Sequence, residues 1–195
     1  MGALQGIKVL DITHFIAGPF CSQTLGDHGA EVIKIEPLEG EFSRKGIPMY
    51  GELSLYFASM NRNKRGLALN LKAEKGQKIL HRLVKEADVL VTNYAPGAPE
   101  RLGFGYEEIS KINPRSIMAH ITGFGLNGPY KNKSAFDGVV QSLSGIVHLT
   151  GEKDGPPMKA GLYIADHIAG MQGVTGTLLA LYKREITGEG QLVDI

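Results

Sequence analysis

The chain has 195 residues, of which 43% are hydrophobic and 21% charged, a composition typical of a globular protein with one sizeable core. Lys and Arg number 21 against 20 Asp and Glu, so bulk charge predicts neither a nucleic-acid nor a membrane partner. No apolar run approaches the length of a membrane span. The single cysteine, Cys21, excludes an internal disulfide framework and makes the reducing cytoplasm the default compartment.

Apolar runs and helical patterns alternate along the chain. The apolar runs predict strands at residues 8–13, 31–36, 65–71, 88–93 and 116–122. Helical spacing predicts helices at residues 20–25, 73–87, 98–102, 106–112 and 135–147. The polar stretch 38–50, which contains glycine and proline, predicts an exposed loop. This order indicates an α/β fold, and we expect a Rossmann-like, mainly parallel sheet flanked by helices.

A long helix is predicted within residues 160–191. Its large apolar residues recur at helical spacing, and small residues recur on another face, namely Ala165, Ala169, Gly173, Gly176 and Ala180. Glycine costs a helix roughly 1 kcal/mol relative to alanine, so we expect another backbone packed closely against this face. Asp166 lies in the first turn, where the helix dipole favours its ionised form. The final residues, QLVDI, are typical of a strand just entered, which favours a chain that continues beyond Ile195.

Other reactive side chains have simpler structural interpretations. Asp11 lies inside an apolar strand, where an acid is more often a structural hydrogen-bonding group. Asp137 lies in the first turn of a predicted helix, where stabilisation of the N-terminus accounts for it without chemistry. Cys21, with no flanking cation, is more typical of a core residue than of a nucleophile. The six histidines show no ligand spacing with Cys, Asp or Glu, so we expect no metal site.

Two cations and a glycine-rich segment lie near predicted strand ends. Lys72 and Arg101 suit the neutralisation of a phosphorylated ligand, although such cations are commonly no more than a solvated surface. Their position favours a ligand, because ligands gather at the carboxyl ends of parallel strands. The segment GFGLNG at 123–128 matches G-x-G-x-x-G, but no helix opens at its third glycine. It therefore indicates a ligand-facing or structural turn rather than a dinucleotide site.

Several blocks, in this order, resemble the family III CoA-transferases, a superfamily that includes formyl-CoA transferase, carnitine CoA-transferase and α-methylacyl-CoA racemase. The blocks are LQGIKVLDITHFIAGP at 4–19, GAEVIKIE at 29–36, NRNKRGLALNL at 61–71, TGFGLNGP at 122–129 and TGEGQ at 187–191. The resemblance implies that residues 1–195 form the CoA-binding α/β domain, the N-terminal portion of a longer chain that forms an interlocked homodimer.

The resemblance also implies a reaction and a site. Asp166 occupies the nucleophile position, and its carboxylate attacks an acyl-CoA thioester to give a mixed anhydride. Coenzyme A then passes to a carboxylic acid, so CoA and acyl-CoA are substrates and no permanently bound cofactor is implied. The implied CoA contacts are Ala17, Leu69, Asn70, Leu71, Lys72, Asn93, Tyr94, Ala95, Arg101, Ser134, Ala135, Phe136 and Asp137.

Three departures from the family pattern bear on the reaction. Phe136 stands where the racemase branch has a catalytic histidine, which favours transfer over racemisation because racemisation uses two bases. Ile16 and Pro37 stand where formyl-CoA transferases carry Gln and Arg, which disfavours oxalate or formate. Two alternatives stay open: an acyl-CoA racemase or isomerase that pairs Asp166 with another base, and a CoA-binding piece without activity of its own.

Overall fold

The computed structural model describes residues 2–195. Its strands are β1 Lys8–Ile12, β2 Glu31–Glu36, β3 Met49–Tyr50, β4 Leu53–Ser54, β5 Lys64–Ala68, β6 Val89–Thr92, β7 Ile117–His120 and β8 Leu192–Asp194. Its helices are α1 Ala17–Asp27, α2 Leu55–Met60, α3 Glu74–Val84, α4 Ala98–Arg101, α5 Tyr106–Ile112, α6 Asp137–Leu143, α7 Ile146–Leu149 and α8 Ile164–Thr187, with a 3-10 helix at Phe42–Lys45. Among these residues, no helix combines the length and the apolar character that a membrane crossing requires.

Six of the strands form one sheet in the order β5-β2-β1-β6-β7-β8, and every neighbouring pair is parallel. This arrangement confirms the predicted Rossmann-like parallel sheet. The strand order extends outwards from the centre in both directions, so it reverses between β1 and β6. In open parallel sheets a crevice forms at that point, outside the carboxyl ends of the strands.

Alternate residues of the central strands face two separate cores. Val9 and Val91 pack with α1 and α8 on one face of the sheet, whereas Leu10 and Leu90 pack with α3 and α5 on the other. Phe104 is completely buried in the second core. Because both faces of the sheet are covered, the strand sequences are nearly continuous apolar runs. These runs made the strands predictable from the sequence.

Some predicted bounds are wrong for local reasons. The helix predicted at 20–25 runs over the whole of α1, because Pro19 lies in its first turn, where a missing N–H is tolerated. The helix predicted at 135–147 is two helices, because Gly145 adopts a φ of 83° between α6 and α7. The strand predicted at 65–71 ends earlier, at Ala68.

The segment 38–50 is largely exposed, as predicted, but it is not a plain loop. It contains the 3-10 helix and β3, and the side chains of Glu41 and Ser43 are buried. β3 and β4 form an antiparallel hairpin, and α2 follows it with Ser54 as its N-cap, whose Oγ accepts a hydrogen bond from the Phe57 amide at 3.1 Å. Elements of two to six residues are too short for periodicity to reveal.

The small-residue face of α8 packs inside the chain. A Cβ atom at Gly170 would lie 2.8 Å from the carbonyl oxygen of Ala17 in α1, and one at Gly176 would lie 2.5 Å from Val193 in β8. Another backbone thus approaches α8 closely at Gly170, next to Ala169, and it is α1 of the same chain, whereas the neighbour of Gly176 is a side chain.

The large apolar residues of α8 occupy a different face, which is exposed. Leu179, Tyr182 and Ile186 are 65%, 71% and 72% exposed, whereas Ala180 is 1% exposed. The helix thus buries small residues together with Val174 and Leu181, whereas its other large apolar side chains are mostly exposed. We call this exposed surface the apolar face of α8; its members are Ile168, Met171, Leu178, Leu179, Tyr182 and Ile186.

Candidate active site

Two cavities open at the carboxyl edge of the sheet. The aspartate pocket, of about 170 Å³, is lined by residues that follow β1, β6 and β7 together with residues of α6 and α8, including Asp166. The strand-end cleft, of about 340 Å³, is lined by residues that follow β2, β5 and β6. Tyr94 lines the cleft and the preceding residue, Asn93, lines the pocket, so the two cavities adjoin at the end of β6.

Asp166 lies in the first turn of α8, half-buried, with its neighbours Ala165 and Ala169 also lining the aspartate pocket. The N-cap residue of this helix, Tyr163, provides no side-chain cap. Asp137, at the start of α6, takes that role instead: its Oδ1 accepts a hydrogen bond from the Ala165 amide at 2.9 Å. A second carboxylate therefore fixes the turn that carries Asp166.

Gln141 extends this connection along α6. Its Nε2 donates to Oδ2 of Asp137 at 2.6 Å and to the carbonyl of Leu162 at 3.2 Å, while its Oε1 accepts from the Ala160 amide at 2.9 Å. Gln141 and Asp137 are 1% and 7% exposed. Buried and hydrogen-bonded in this way, the pair holds the segment that leads into α8 and limits the freedom of Asp166.

The electrostatic surroundings of Asp166 oppose its negative charge. Burial, followed by the nearby charge of Asp137, raises the pKa of Asp166 to about 6. The helix N-terminus favours the ionised form, but burial and Asp137 outweigh it, so the pKa of Asp166 lies above its ordinary value. At pH 7 the carboxylate is still the major form, and a carboxylate with a raised pKa is more basic than an exposed one.

Asn93 joins two loops across the reversal point of the sheet. Its Oδ1 accepts from the His14 amide at 2.9 Å, and its Nδ2 donates to the His14 carbonyl at 2.8 Å. The imidazole of His14 lies 5.0 Å from the ring of Phe15 and 5.1 Å from the ring of Tyr94, and burial lowers its pKa. His14 is consequently neutral at pH 7.

Beneath the loop after β1 lies a buried charge cluster. Asp11 is completely buried, and its carboxylate accepts hydrogen bonds from Lys64 Nζ at 2.8 Å and from Ser22 Oγ at 2.7 Å. Lys34 lies 3.7 Å away and donates to the Thr13 carbonyl at 3.0 Å. Burial opposes the charge of Asp11, but the two lysines outweigh it, and its pKa lies at about 2. The cluster supports the loop structurally, as the sequence suggested for Asp11.

Cys21 lies in the same core as an inert side chain. It is completely buried, and burial raises the pKa of its thiol to about 12. A thiol of this kind is not ionised near neutral pH, in agreement with its interpretation as a core residue. Among residues 2–195, no three His, Cys, Asp or Glu side chains are arranged to hold a metal ion.

A model of the family described as CoA-transferase family III matches residues 4–195. The chain belongs to CoA-transferase family III.

The relatives within this family align with nearly the whole of this chain. The formyl-CoA:oxalate CoA-transferase of Streptomyces avermitilis is 44% identical, over 99% of this chain and 47% of its own length. The human succinyl-CoA:glutarate CoA-transferase is 41% identical, over 98% and 44% respectively. A CAIB/BAIF family protein from Brucella suis superposes with a TM-score of 0.95 and 40% identity, over 99% of this chain and 52% of that one. The chain thus spans about half the length of the relatives it matches.

The fold divides the expected CoA contacts of this family III chain between the two cavities. Ala17, Asn93, Ala135, Phe136 and Asp137 line the aspartate pocket, and Leu69, Asn70, Leu71, Lys72 and Tyr94 line the strand-end cleft. The remaining three, Ala95, Arg101 and Ser134, line neither cavity.

The three residues outside the cavities still lie beside them. Arg101 is the last residue of α4 and directly precedes Leu102, which lines the cleft. Ala95 follows Tyr94, and Ser134 precedes Ala135. The side chains of Lys72 and Arg101 are exposed, and among the described residues neither forms an ion pair.

Three residues around Asp166 were not predicted from the sequence. The sequence could have indicated Gln141, because this residue follows Asp137 by one helical turn. No sequence pattern indicated His14, because it lies in an irregular loop after β1. Tyr56 lies in α2, and burial, followed by the charges of Tyr163 and Asp166, raises the pKa of its hydroxyl.

Proposed function

We propose that this chain carries the nucleophile of a CoA-transferase that moves CoA from an acyl-CoA thioester to a free carboxylic acid. One observation carries the proposal: in a family III chain, a half-buried carboxylate with a raised pKa, Asp166, lines a pocket that adjoins a larger cleft at the carboxyl edge of the sheet. The names of the relatives, which transfer CoA between carboxylates, support the same class of reaction.

The proposed reaction proceeds by acyl exchange at Asp166. Its carboxylate attacks the thioester carbonyl, the C–S bond breaks, and a mixed anhydride and a CoA thiolate form. The thiolate attacks the aspartyl carbonyl, which releases the first acyl group as a carboxylate and leaves an aspartyl-CoA thioester. The acceptor carboxylate then attacks the aspartyl carbonyl of this thioester, the C–S bond breaks, and a second anhydride and the CoA thiolate form. The thiolate finally attacks the acceptor carbonyl and restores Asp166.

The hydrogen bonds of α6 support the proposed role of Asp166. Attack on a carbonyl requires an oxygen held in a fixed direction. Asp137 binds the amide of Ala165, one residue before Asp166, and Gln141 fixes Asp137 in turn. We assign both as positioning residues. The raised pKa supports nucleophilicity, since a more basic carboxylate attacks a carbonyl more readily.

The strand-end cleft is the proposed site of the nucleotide end of CoA. Lys72 lines it and Arg101 lies beside it, and exposed cations of this kind neutralise phosphate groups. The thioester end then reaches the aspartate pocket past Asn93 and Tyr94, where the two cavities adjoin. The remaining expected contacts are proposed along this path.

The apolar face of α8 supports a proposal about assembly. Six large apolar side chains are exposed on a helix whose other face is packed against α1, and monomeric proteins rarely expose large apolar patches. We propose that residues 1–195 form the CoA-binding domain of a homodimer that covers this face. The cytoplasm remains a prediction from composition.

Trapping with hydroxylamine tests the nucleophile. During turnover with an acyl-CoA and a carboxylic acid, hydroxylamine should convert Asp166 to the hydroxamate, which peptide mass spectrometry detects. The Asp166→Asn variant should give neither the adduct nor transfer, whereas Asp154→Asn, a change at an exposed loop residue, should give both. Transfer by a protein that stays unmodified at Asp166 would refute the assignment.

A second candidate is an acyl-CoA racemase or isomerase, and His14 is the observation that favours it. His14 lines the same pocket as Asp166, and its lowered pKa keeps the imidazole available as a base. Incubation of a chiral 2-methylacyl-CoA in D2O, without an acceptor acid, separates the two reactions. Deuterium at the α-carbon that depends on His14 supports the isomerase, and its absence supports transfer.

A further inference from the structure

The aspartate pocket carries negative charge and no positive charge. The ionisable side chains that line it are His14, Asp137 and Asp166, and the first of these is neutral at pH 7. No lysine or arginine of the described chain lines the pocket. A ligand group that brings a second negative charge into this space would meet Asp137 without a counter-ion, and burial of such a charge is costly.

The rest of the pocket wall is mostly apolar and aromatic, and its polar side chains, Asn93 and Thr122, are uncharged. Phe15 and Phe136 line it with their rings 6.2 Å apart in an edge-to-face arrangement, and Ile16 and Val140 line it beside them. Phe42 stacks on Phe15 at 6.1 Å, so the aromatic surface continues outside the pocket. Phe136 is 70% exposed, which leaves a large aromatic ring open for contact with a ligand.

The cations around this wall are engaged elsewhere or lie outside it. Lys34, whose charge acts on His14, lies 3.7 Å from Asp11 and donates to the Thr13 carbonyl. Arg44, two residues from Phe42, forms hydrogen bonds of 2.7 and 2.6 Å to Glu36 and lies over the ring of Phe57. Lys159 is exposed and approaches α6 at Gly138, where a Cβ atom would lie 3.7 Å from its Nζ, but it does not line the pocket.

We propose that the acyl group exchanged at Asp166 is uncharged: the acceptor is a monocarboxylic acid whose carbon chain lies against Phe15, Ile16 and Phe136. The inference rests on the proposed transferase function and narrows its substrate class. It differs from the dicarboxylates that the relatives' names contain. The pocket, at about 170 Å³, is smaller than the ~300–1,000 Å³ of drug-sized sites, so the acyl chain is short.

Competition between two acids of equal length tests the proposal. The protein is given propionyl-CoA with butyrate and succinate at equal concentrations, and mass spectrometry quantifies butyryl-CoA and succinyl-CoA. We expect butyryl-CoA to exceed succinyl-CoA by roughly tenfold or more, which corresponds to about 1.4 kcal/mol. Phe136→Arg, which places a cation at the rim, should move the ratio toward succinate, whereas Phe136→Leu should keep it.

Two further variants separate local from general effects. Leu149→Arg adds the same charge at an 85% exposed position of α7 and should leave the ratio unchanged. Lys159→Met should also leave it unchanged. Succinate that competes equally with butyrate, or a ratio that Leu149→Arg shifts as much as Phe136→Arg, overturns the inference and leaves the transferase standing. Transfer to neither acid overturns the proposed function and this inference with it.

Discussion

Replacing Asp166 by asparagine should remove transfer and at the same time stabilise the fold at neutral pH. Burial and the charge of Asp137 raise the pKa of Asp166 from 3.8 to about 6. The folded protein therefore binds the Asp166 proton more tightly than the unfolded chain does. Above pH 6 the ionised Asp166 carboxylate lowers the free energy of unfolding, and asparagine, which has no charge, removes this destabilisation.

The size and the pH range follow from this shift. A difference of about 2 pKa units corresponds to about 3 kcal/mol as an upper limit, and solvent in the open pocket reduces this to about 1–2 kcal/mol. Below pH 4 both states hold the proton, so the variant gains nothing from charge removal. Between pH 4 and 6 the wild-type protein loses stability relative to the variant, and above pH 6 the difference is constant.

Urea unfolding at several pH values between 4 and 8 measures this difference. The Asp166→Asn variant should match the wild-type protein near pH 4 and exceed its free energy of unfolding at pH 8. Asp154→Asn, an exposed control, should follow the wild-type curve throughout. A difference that does not depend on pH, or a variant less stable than the wild type at pH 8, contradicts the reasoning about the buried carboxylate.

Three other changes test the site and its support. Asp137→Asn removes a negative charge near Asp166, so the acid limb of the pH–rate profile should move below pH 6. Gly170→Ala places a Cβ atom 2.8 Å from the Ala17 carbonyl oxygen and should reduce the free energy of unfolding by about 1–3 kcal/mol, although alanine favours helices. Lys64→Met leaves Asp11 with one cation and should reduce the free energy of unfolding, measured in urea, by about 3–5 kcal/mol.

Each of these predictions has a matched control. Gly161→Ala adds a Cβ atom in open space, and its unfolding midpoint should not change. Lys78→Met, at an exposed lysine paired with Glu74, should change stability by less than about 0.5 kcal/mol. Equal effects at Gly161 and Gly170 would disprove the close contact of α8 with α1. An acid limb that does not move in Asp137→Asn would exclude the electrostatic link to Asp166.

The sequence by itself determined the parallel sheet and the position of the candidate nucleophile. The central strands are apolar on both faces, and their alternation with helical patterns allows little besides a parallel α/β sheet. The first turn of α8 was predictable because helical spacing begins there, and Asp166 lies in it. The elements that escaped prediction, β3, β4 and α2, are too short to show a period.

Only the tertiary structure decided what packs against the small-residue face of α8 and which way the pKa of Asp166 moves. The small residues predicted a close neighbour on their face, but they did not identify it; the structure shows that this neighbour is α1, at Ala17. The charge state of Asp166 depends on burial and on Asp137, a residue distant in sequence that packing brings close. Neither effect is local, so no local pattern encodes it.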